Sequence, residues 1–227
     1  DGKGLQSGTT HYFGTGFAKA FGIQFQGRDG KLTNPHQTSW GVSTRLLGAI
    51  IMVHGDDNGL SLPPYVAPTQ VVVIPVAQNK PGVIPAAREL FDSIKAAGYR
   101  TKIDESDKTP GWKFAEYEMK GVPLRVEIGP RDIENGVVTI SIRCTGEKIT
   151  VKKEELIETI NRLIPEIHQK MYEKAYRYLL DHVTEVHSVK ELEEALNKGG
   201  YAKMMWCEDE ACENKIKEMF QATSRCM

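Results

Sequence analysis

Arg45 stands at the predicted start of an apolar helix, where its side chain could hold an anion. Apolar residues recur four apart within residues 46–51, which is the spacing of one helix face. Ser43 or Thr44 could cap this helix, and the free N–H groups of its first turn favour a negative charge. A guanidinium can grip a phosphate through two hydrogen bonds or stack on a flat base. The segment therefore predicts a nucleotide site, with an ordinary capped core helix as the alternative.

Polar and aromatic side chains near the start of the chain could form a second part of such a site. Gln6, Thr9 and His11 are expected to project to the same side of an extended segment and to offer hydrogen-bond donors and acceptors there. A hydrogen-bonded loop is the alternative interpretation of these three residues. Phe13 and Trp40 could wall an apolar pocket for a small ring, although each could instead belong to the core.

A later cluster has the chemistry of a nucleic-acid contact. Residues 110–114 are predicted to form a loop that carries Trp112, Lys113 and Phe114, and Arg131 follows the third strand of a predicted sheet. Aromatic faces stack on unpaired bases, and cations pair with phosphates. A core position for Trp112 and a solvated position for Lys113 are the alternatives.

The chain has four cysteines, of which two are close in sequence. Four residues separate Cys207 from Cys212 across a predicted loop, a spacing compatible with half of a zinc site. A structural zinc site needs four ligands, and Cys144 and Cys226 do not form a second close pair, so we expect an incomplete site or none. No secretory leader is recognisable, so reduced thiols and a cytoplasmic location are expected.

The composition is typical of a globular protein without a membrane span. The 227 residues are 40% hydrophobic and 26% charged, with a net charge of −1. This balance argues against a protein that coats nucleic acid without selectivity, because such binding needs an excess of cations. The longest apolar run, residues 46–53, is too short to cross a bilayer. The chain begins without Met and is expected to be a fragment.

The elements around Arg45 are predicted to mix helices and strands. Residues 13–21 show a helical spacing of apolar side chains, and residues 23–25 alternate as a strand. Residues 38–45 read as a strand that leads into a buried helix. Two prolines at residues 63–64 stiffen the chain and mark a predicted domain boundary.

The middle of the chain is predicted to be a mixed-sheet α/β domain. Residues 71–76 form a continuous β-branched run, as expected for a strand that is covered on both faces. A helix over residues 84–97 separates this strand from the next, so the two strands are expected to be parallel. Further strands are predicted over residues 99–103, 123–128 and 137–143, the last one antiparallel after a hairpin turn at residues 135–136.

The last third of the chain is predicted to be mainly helical. A long helix over residues 150–182 should be kinked or divided by Pro165. A small α+β region follows, with a helix over residues 189–198 between strands at residues 183–186 and 202–206.

Several segments, in this order, resemble one protein family. SWGVSTRLLGAIIMVHGDDNGLSLPP, at residues 39–64, is similar to motif 3 of the class II aminoacyl-tRNA synthetases. QSGTTHYFG lies upstream of it, and TQVVVIPV, PGWKF and GVPLRVEIGPRD lie downstream. Together they resemble the C-terminal portion of prolyl-tRNA synthetases of the archaeal and eukaryote-like type, from before motif 3 through the anticodon-binding domain into the C-terminal domain.

The resemblance implies roles for the residues described above. Arg45 would be catalytic. The ATP-binding residues would be Gln6, Thr9, Ser43 and Arg45. The proline-binding residues would be His11, Phe13 and Trp40. The residues that contact the tRNA anticodon would be Trp112, Lys113, Phe114 and Arg131. The incomplete zinc site would consist of Cys207 and Cys212.

The resemblance also implies an architecture and an activity. The fold would be α/β within an α+β whole: residues 1–66 complete an antiparallel catalytic core, residues 67–150 form the mixed-sheet anticodon-binding domain, and residues 151–227 form a long helix and a small C-terminal domain. The implied reaction is the activation of proline by ATP with Mg²⁺ and its transfer to tRNA(Pro), in a homodimer. Motifs 1 and 2 are not visible, so this chain alone is expected to be inactive. A non-catalytic tRNA-binding module derived from a synthetase is the alternative.

Overall fold

The computed structural model describes residues 4–224, which form two compact units. The smaller unit is Gly4–Met52, and the larger unit begins at Val53. Cys226 lies outside the described residues. Over residues 4–224, no helix has both the length and the apolar character needed to cross a membrane.

The smaller unit contains two antiparallel pairs of strands and two helices. Its elements are β1 (Gly8–Gly14), α1 (Gly16–Ala20), β2 (Phe25–Gln26), β3 (Leu32–Thr33), β4 (Gln37–Val42) and α2 (Arg45–His54), of which the last two residues are counted with the larger unit. β1 pairs with β4, and β2 pairs with β3. The prediction of a strand that leads into a helix at Arg45 is confirmed.

Phe13 belongs to a strand, so the predicted helix over residues 13–21 is wrong in its first part. Gly14 ends β1 with a φ of +54°, a conformation that glycine adopts easily. Only Gly16–Ala20 is helical after it. The strand predicted at residues 23–25 lies instead at Phe25–Gln26.

Most apolar side chains of the smaller unit are exposed. Ala18 is its one buried residue among those that the structure describes. Trp40 is 78% exposed and Leu47 62% exposed. Helix α2 was predicted to be buried, but none of its residues is buried, because two-stranded sheets are too small to cover a helix face.

The larger unit is built on a five-stranded mixed sheet. Its first elements are β5 (Val71–Pro75), α3 (Val83–Ala96), β6 (Thr101–Ile103), α4 (Pro110–Met119), β7 (Leu124–Ile128), α5 (Pro130–Asn135), β8 (Val137–Ile142), β9 (Lys148–Lys152) and α6 (Leu156–Asp181). The strand order is β6-β5-β7-β8-β9. β6, β5 and β7 are parallel, whereas β8 and β9 are antiparallel, so the predicted mixed sheet with an antiparallel edge is confirmed.

The sheet is covered on both faces. Val71 and Val73 point into the main core, to which α3 and the first half of α6 also contribute. Val72 and Ile74 point to the other face, where they pack with Tyr117 of α4. Every residue of β5 is buried, as the continuous apolar run predicted.

Three predictions about this unit are wrong. Residues 110–114 are not a loop but the start of α4, where Thr109 caps the helix by accepting a hydrogen bond from the N–H of Trp112 at 3.4 Å. Residues 135–136 are not a hairpin turn, because the chain passes through α5 and Gly136 ends that helix with a φ of +64°. The long helix starts at Leu156 rather than at residue 150, because Lys148–Lys152 pairs with β8.

The end of the chain forms a small α+β region. Its elements are β10 (Val183–Glu185), α7 (Val189–Lys198), β11 (Tyr201–Lys203) and α8 (Glu210–Phe220). α7 has the predicted bounds, and β10 and β11 pair in parallel around a core of Val186, Leu192 and Ala195. Pro165 lies inside α6, which continues through it. The domain boundaries at residues 66/67 and 150/151 stay predictions.

Candidate functional site

The pairing of β1 with β4 decides which predicted site residues share a face. His11 lies opposite Ser39, Thr9 opposite Gly41, and Thr10 opposite Trp40. Directly paired residues project to the same face, and neighbours along a strand alternate. Thr9 and His11 therefore share one face of this sheet, and Trp40 lies on the other.

His11 is part of a short aromatic row. Its ring stacks on Phe13 with centroids 5.4 Å apart and planes 12° apart. Phe17 of α1 meets Phe13 edge-on at 4.8 Å. Two of the three predicted proline-binding residues are therefore in contact, and the strand register separates Trp40 from them.

The predicted ATP-binding residues fall into two pairs. The Gln6 amide donates to the Thr9 hydroxyl at 2.8 Å. The Ser43 hydroxyl accepts from the backbone N–H of Arg45 at 3.3 Å, so Ser43 satisfies a free donor at the start of α2. The Arg45 side chain is exposed, and no partner for its guanidinium is found among residues 4–224. It is available to an anion.

A second site is an open cleft of about 130 Å³ in the larger unit. It lies beside β7 and β8 and the end of α4. Its polar and charged lining residues include Asn58, Glu118, Arg125, Ser141, Arg143 and Lys148. Three of these are cationic and one is a carboxylate, and of the three cations Lys148 is the most exposed.

Arg125 organises the cleft from strand β7. Its Nε donates to Glu127 at 2.9 Å, and its Nη1 donates to Glu118 at 3.1 Å. Nη2 donates to the Ser141 hydroxyl at 3.3 Å. The guanidinium carbon lies 4.1 Å from the centroid of the Phe114 ring. Its side chain is only 7% exposed, so this planar cation is held by protein groups on every side.

Lys148 adds a second cation over the same aromatic ring. Its Nζ lies 5.4 Å from the Phe114 centroid and 3.3 Å from Glu127. Unlike Arg125, it is half exposed, so it can reach a ligand at the mouth of the cleft.

Arg143 and Asp56 form the third charged contact. Arg143 binds both carboxylate oxygens of Asp56, at 2.7 and 2.5 Å. Its Nε donates to the backbone carbonyl of Glu118 at 3.0 Å. The hydrogen bonds from Arg143 lower the pKa of the Asp56 carboxyl from its ordinary 3.8 to about 2. The same pairing raises the pKa of Arg143.

The four predicted anticodon residues lie in different environments. Phe114 lies under Arg125, and Trp112 is 47% exposed with Lys108 5.3 Å from its ring. Arg131 is exposed on α5.

Lys113 is not available to a base. It is buried, and its Nζ donates to Gln78 at 3.0 Å and to the Asp104 carbonyl at 2.9 Å. Because residues 110–114 are helical rather than a loop, Trp112 and Lys113 point about 100° apart around the helix axis, and Lys113 is directed into the protein.

Sequence reasoning missed most of the charged residues in the cleft. Arg125 and Glu127 are two charges within the otherwise apolar strand Leu124–Ile128. Charges on a buried strand are rare unless they are paired, so this pattern could have indicated a buried ion pair. The sequence held no comparable signal for Asp56 and Arg143, which are 87 residues apart.

The two predicted zinc ligands are close together and exposed. The Cys212 thiol donates a hydrogen bond to Cys207, and this bond, together with the negative charge of Cys207, raises the pKa of Cys212. Within residues 4–224 there is no group of three side chains placed to hold a metal ion. Two thiols supply half of a structural zinc site.

Two family models match parts of this chain. Residues 70–163 match the model described as anticodon binding domain, and this range contains Phe114, Glu118, Arg125 and Arg143. Residues 189–227 match the model described as prolyl-tRNA synthetase, C-terminal.

Curated relatives match over the full length of the chain. The proline–tRNA ligase of Lachnospira eligens is 55% identical over 100% of this chain and 48% of its own length. Those of Agathobacter rectalis and Clostridium botulinum are 54% and 52% identical over 100% of this chain, and over 47% and 48% of their own lengths. The chain thus spans about half the length of the curated relatives it matches.

Proposed function

We propose that this chain, which corresponds in sequence to the C-terminal portion of prolyl-tRNA synthetases, serves in the ATP-dependent attachment of proline to tRNA(Pro). The larger unit binds the anticodon stem-loop, and the smaller unit supplies part of the site where proline is activated. The observation that carries the proposal is the Arg125–Phe114 stack with the Glu118 carboxylate beside it, inside the range that matches an anticodon binding domain.

The cleft has the groups that an unstacked base requires. The Phe114 ring lies against the Arg125 guanidinium beside the cleft, and Lys148, which lines the cleft and is half exposed, adds a second cation over the same ring. The Glu118 side chain is 42% exposed, and its Oε1 accepts from Arg125. A carboxylate fixed in this way can accept hydrogen bonds from the N–H groups of a base edge. Trp112 and Arg131 are both exposed, so they are available to further bases or phosphates.

The smaller unit supplies a cation for the chemistry of activation. The proline carboxylate attacks the α-phosphate of ATP, a new P–O bond forms, and pyrophosphate leaves. Negative charge grows on the phosphate oxygens, so a guanidinium and Mg²⁺ stabilise the transition state. Arg45 is exposed at the start of α2 and is suited to this role, with Ser43, Gln6 and Thr9 as neighbouring nucleotide contacts.

The proline site and the transfer step follow from the same proposal. His11 and Phe13 share a face of the β1–β4 sheet and line the proline pocket, whereas Trp40 lies on the opposite face of that sheet. In the second step a terminal ribose hydroxyl of tRNA(Pro) attacks the prolyl carbonyl, and AMP leaves.

We further propose that the full-length protein is a cytoplasmic homodimer, and that Cys207 and Cys212 are two ligands of a zinc ion that needs additional donors.

A non-catalytic tRNA-binding module is the second candidate. It is favoured by the contrast in burial between the two units. The larger unit has a complete core around its sheet, whereas Ala18 alone is buried among the described residues of the smaller unit. Such a module would bind tRNA(Pro) without binding the adenylate.

Calorimetric titration with a non-hydrolysable prolyl-adenylate analogue separates the two candidates. Arg45→Ala should weaken binding at least about tenfold, because a charged hydrogen bond to phosphate is lost. Arg28→Ala, which removes another exposed Arg of the smaller unit, is the matched control and should bind like the wild type. Stem-loop binding without adenylate binding, or equal binding by Arg45→Ala and Arg28→Ala, would favour the module.

A further inference from the structure

The turn that precedes the sheet of the larger unit is held against the end of α4. Asp56 and Gly59 exchange two backbone hydrogen bonds of 3.0 Å, which closes the turn. Leu60 N–H then donates to the Met119 carbonyl at 3.0 Å, and Leu62 N–H donates to the Gly121 carbonyl at 3.2 Å. The chain segment 56–62 is therefore fixed to the last residue of α4 and to Gly121 just beyond the helix.

The two backbones at this contact lie too close together for a side chain at either glycine. Gly59 has a φ of +124°, and a Cβ there would lie 2.5 Å from the Cα of Met119. Gly121 has a φ of +70°, and a Cβ there would lie 2.6 Å from Leu60. The two backbones touch through glycines that no other residue can replace without a shift.

Arg143 ties the turn to Glu118, one of the residues of α4 that line the cleft. One guanidinium binds both oxygens of Asp56 and the backbone carbonyl of Glu118. The Arg143 side chain is 6% exposed, so its donors are committed to these partners and not to a ligand. Glu118 is in turn the carboxylate that Arg125 holds on the other side.

We infer that Asp56 and Arg143 are positioning residues of the base-binding cleft: the Asp56–Arg143 ion pair fixes the backbone of Glu118 and thereby the direction of its carboxylate. This inference rests on the proposed function of the cleft. It extends the RNA-binding site beyond residues 70–163, the range that matches the anticodon binding domain, to a turn that precedes it. Asn58 of the same turn already lines the cleft.

The test is the affinity of the 227-residue chain for an RNA hairpin that carries the anticodon stem and loop of tRNA(Pro). Asp56→Asn keeps the size of the side chain and removes its charge, and it should weaken binding about three- to tenfold, which is at the lower end of the coupling between residues in one network. Asp57→Asn, the same change at the exposed neighbouring position, should leave the affinity unchanged. A hairpin with a replaced anticodon should bind both variants and the wild type equally weakly.

A double-mutant cycle separates positioning from a general loss of structure. In a Glu118→Gln background, Asp56→Asn should have little further effect on hairpin affinity, because the carboxylate that it positions is gone. An equal loss in both backgrounds, or an Asp56→Asn variant that binds like the wild type, overturns the inference. If Glu118→Gln itself has no effect on the affinity of a chain that binds the hairpin, or the chain does not bind it, the proposed function of the cleft fails and this inference with it.

Discussion

Arg125 is a cation on a central strand of the sheet, a position that apolar residues usually occupy. It is accommodated because Glu127, Glu118 and Ser141 accept its hydrogen bonds and the Phe114 ring covers its face. Removing one partner of a buried pair costs more than the pair contributes, because the remaining charge is left without compensation. The residues of the cleft are therefore coupled to the stability of the sheet.

Arg125→Met should lower the free energy of unfolding by about 3 kcal/mol, because Glu127 remains buried without its main partner. Arg162→Met is the matched control, since Arg162 pairs with Glu166 on the exposed face of α6. The free energy of unfolding of Arg162→Met should fall by less than about 1 kcal/mol. Urea denaturation of the two variants measures both values, and similar losses would contradict the buried-pair account.

Asp56 should make the stability depend on pH in the acid range. Its pKa is lowered to about 2 by Arg143, so its contribution is present above the unfolded pKa near 4 and is lost as the pH falls toward about 2. Because Asp56 is about half exposed, the contribution should be at most about 1 kcal/mol.

The measurement compares the wild type with Asp56→Asn in urea titrations from about pH 6 down to about pH 2. The wild type should be the more stable protein above about pH 4, and the difference should disappear near pH 2. A difference that is independent of pH would show that the charge of Asp56 does not contribute.

At the scale of elements, the fixed contact between segment 56–62 and α4 is the feature on which the cleft depends. The end of α4 carries Glu118, and the backbone of that end is bonded to Leu60 and Leu62. α4 packs through Tyr117 on Val72 and Ile74 of β5, which fixes the other side of the helix. The cleft is thus framed by one helix, two strands and a turn that cannot move independently.

Gly59→Ala should destabilise the larger unit by about 2 kcal/mol or more, because the new Cβ would overlap the Met119 backbone and the φ of +124° is unfavourable for Ala. Gly111→Ala provides the matched control, since Gly111 lies in α4 with open space around its Cα. It should be neutral or stabilising by about 0.5–1 kcal/mol. The melting temperatures of the two variants, measured by thermal unfolding, test this prediction. Equal melting temperatures would contradict the close contact at Gly59.

At the scale of the whole molecule, the two units differ in how much apolar surface they bury. The larger unit has a sheet with helices on both faces. The smaller unit has two-stranded sheets, and large side chains such as Trp40 and Phe21 are more than 70% exposed. Burial offsets the entropy that folding costs, so local stability should follow this difference.

Hydrogen exchange should report the difference directly. Amides of β5 and β7, whose residues are all buried, should exchange at least about a hundredfold more slowly than those of β1 and β4. Mass spectrometry of peptides from the two regions measures the ratio. Equal protection in both regions would mean that the smaller unit is as stable as the larger one.

The sequence alone determined the elements whose pattern is local. The continuous apolar run at Val71–Pro75, the helix at Val189–Lys198 and the helix that starts at Arg45 were all predicted, because each depends on the periodicity and the end signals of one segment. The helix at Pro110–Met119 was missed although Thr109 and Pro110 are ordinary signals for a helix start.

Which side chains meet depends on the packing of elements that are distant in sequence. Strand register places Trp40 and His11 on opposite faces, since a shift of one residue reverses every side chain of a strand. The contact of Asp56 with Arg143 across 87 residues depends on how a turn docks on α4, and no local pattern encodes that distance. The sequence therefore shows which charged residues the chain contains, but not that they lie together around Glu118. Their proximity follows from the packing of the sheet, the helix and the turn.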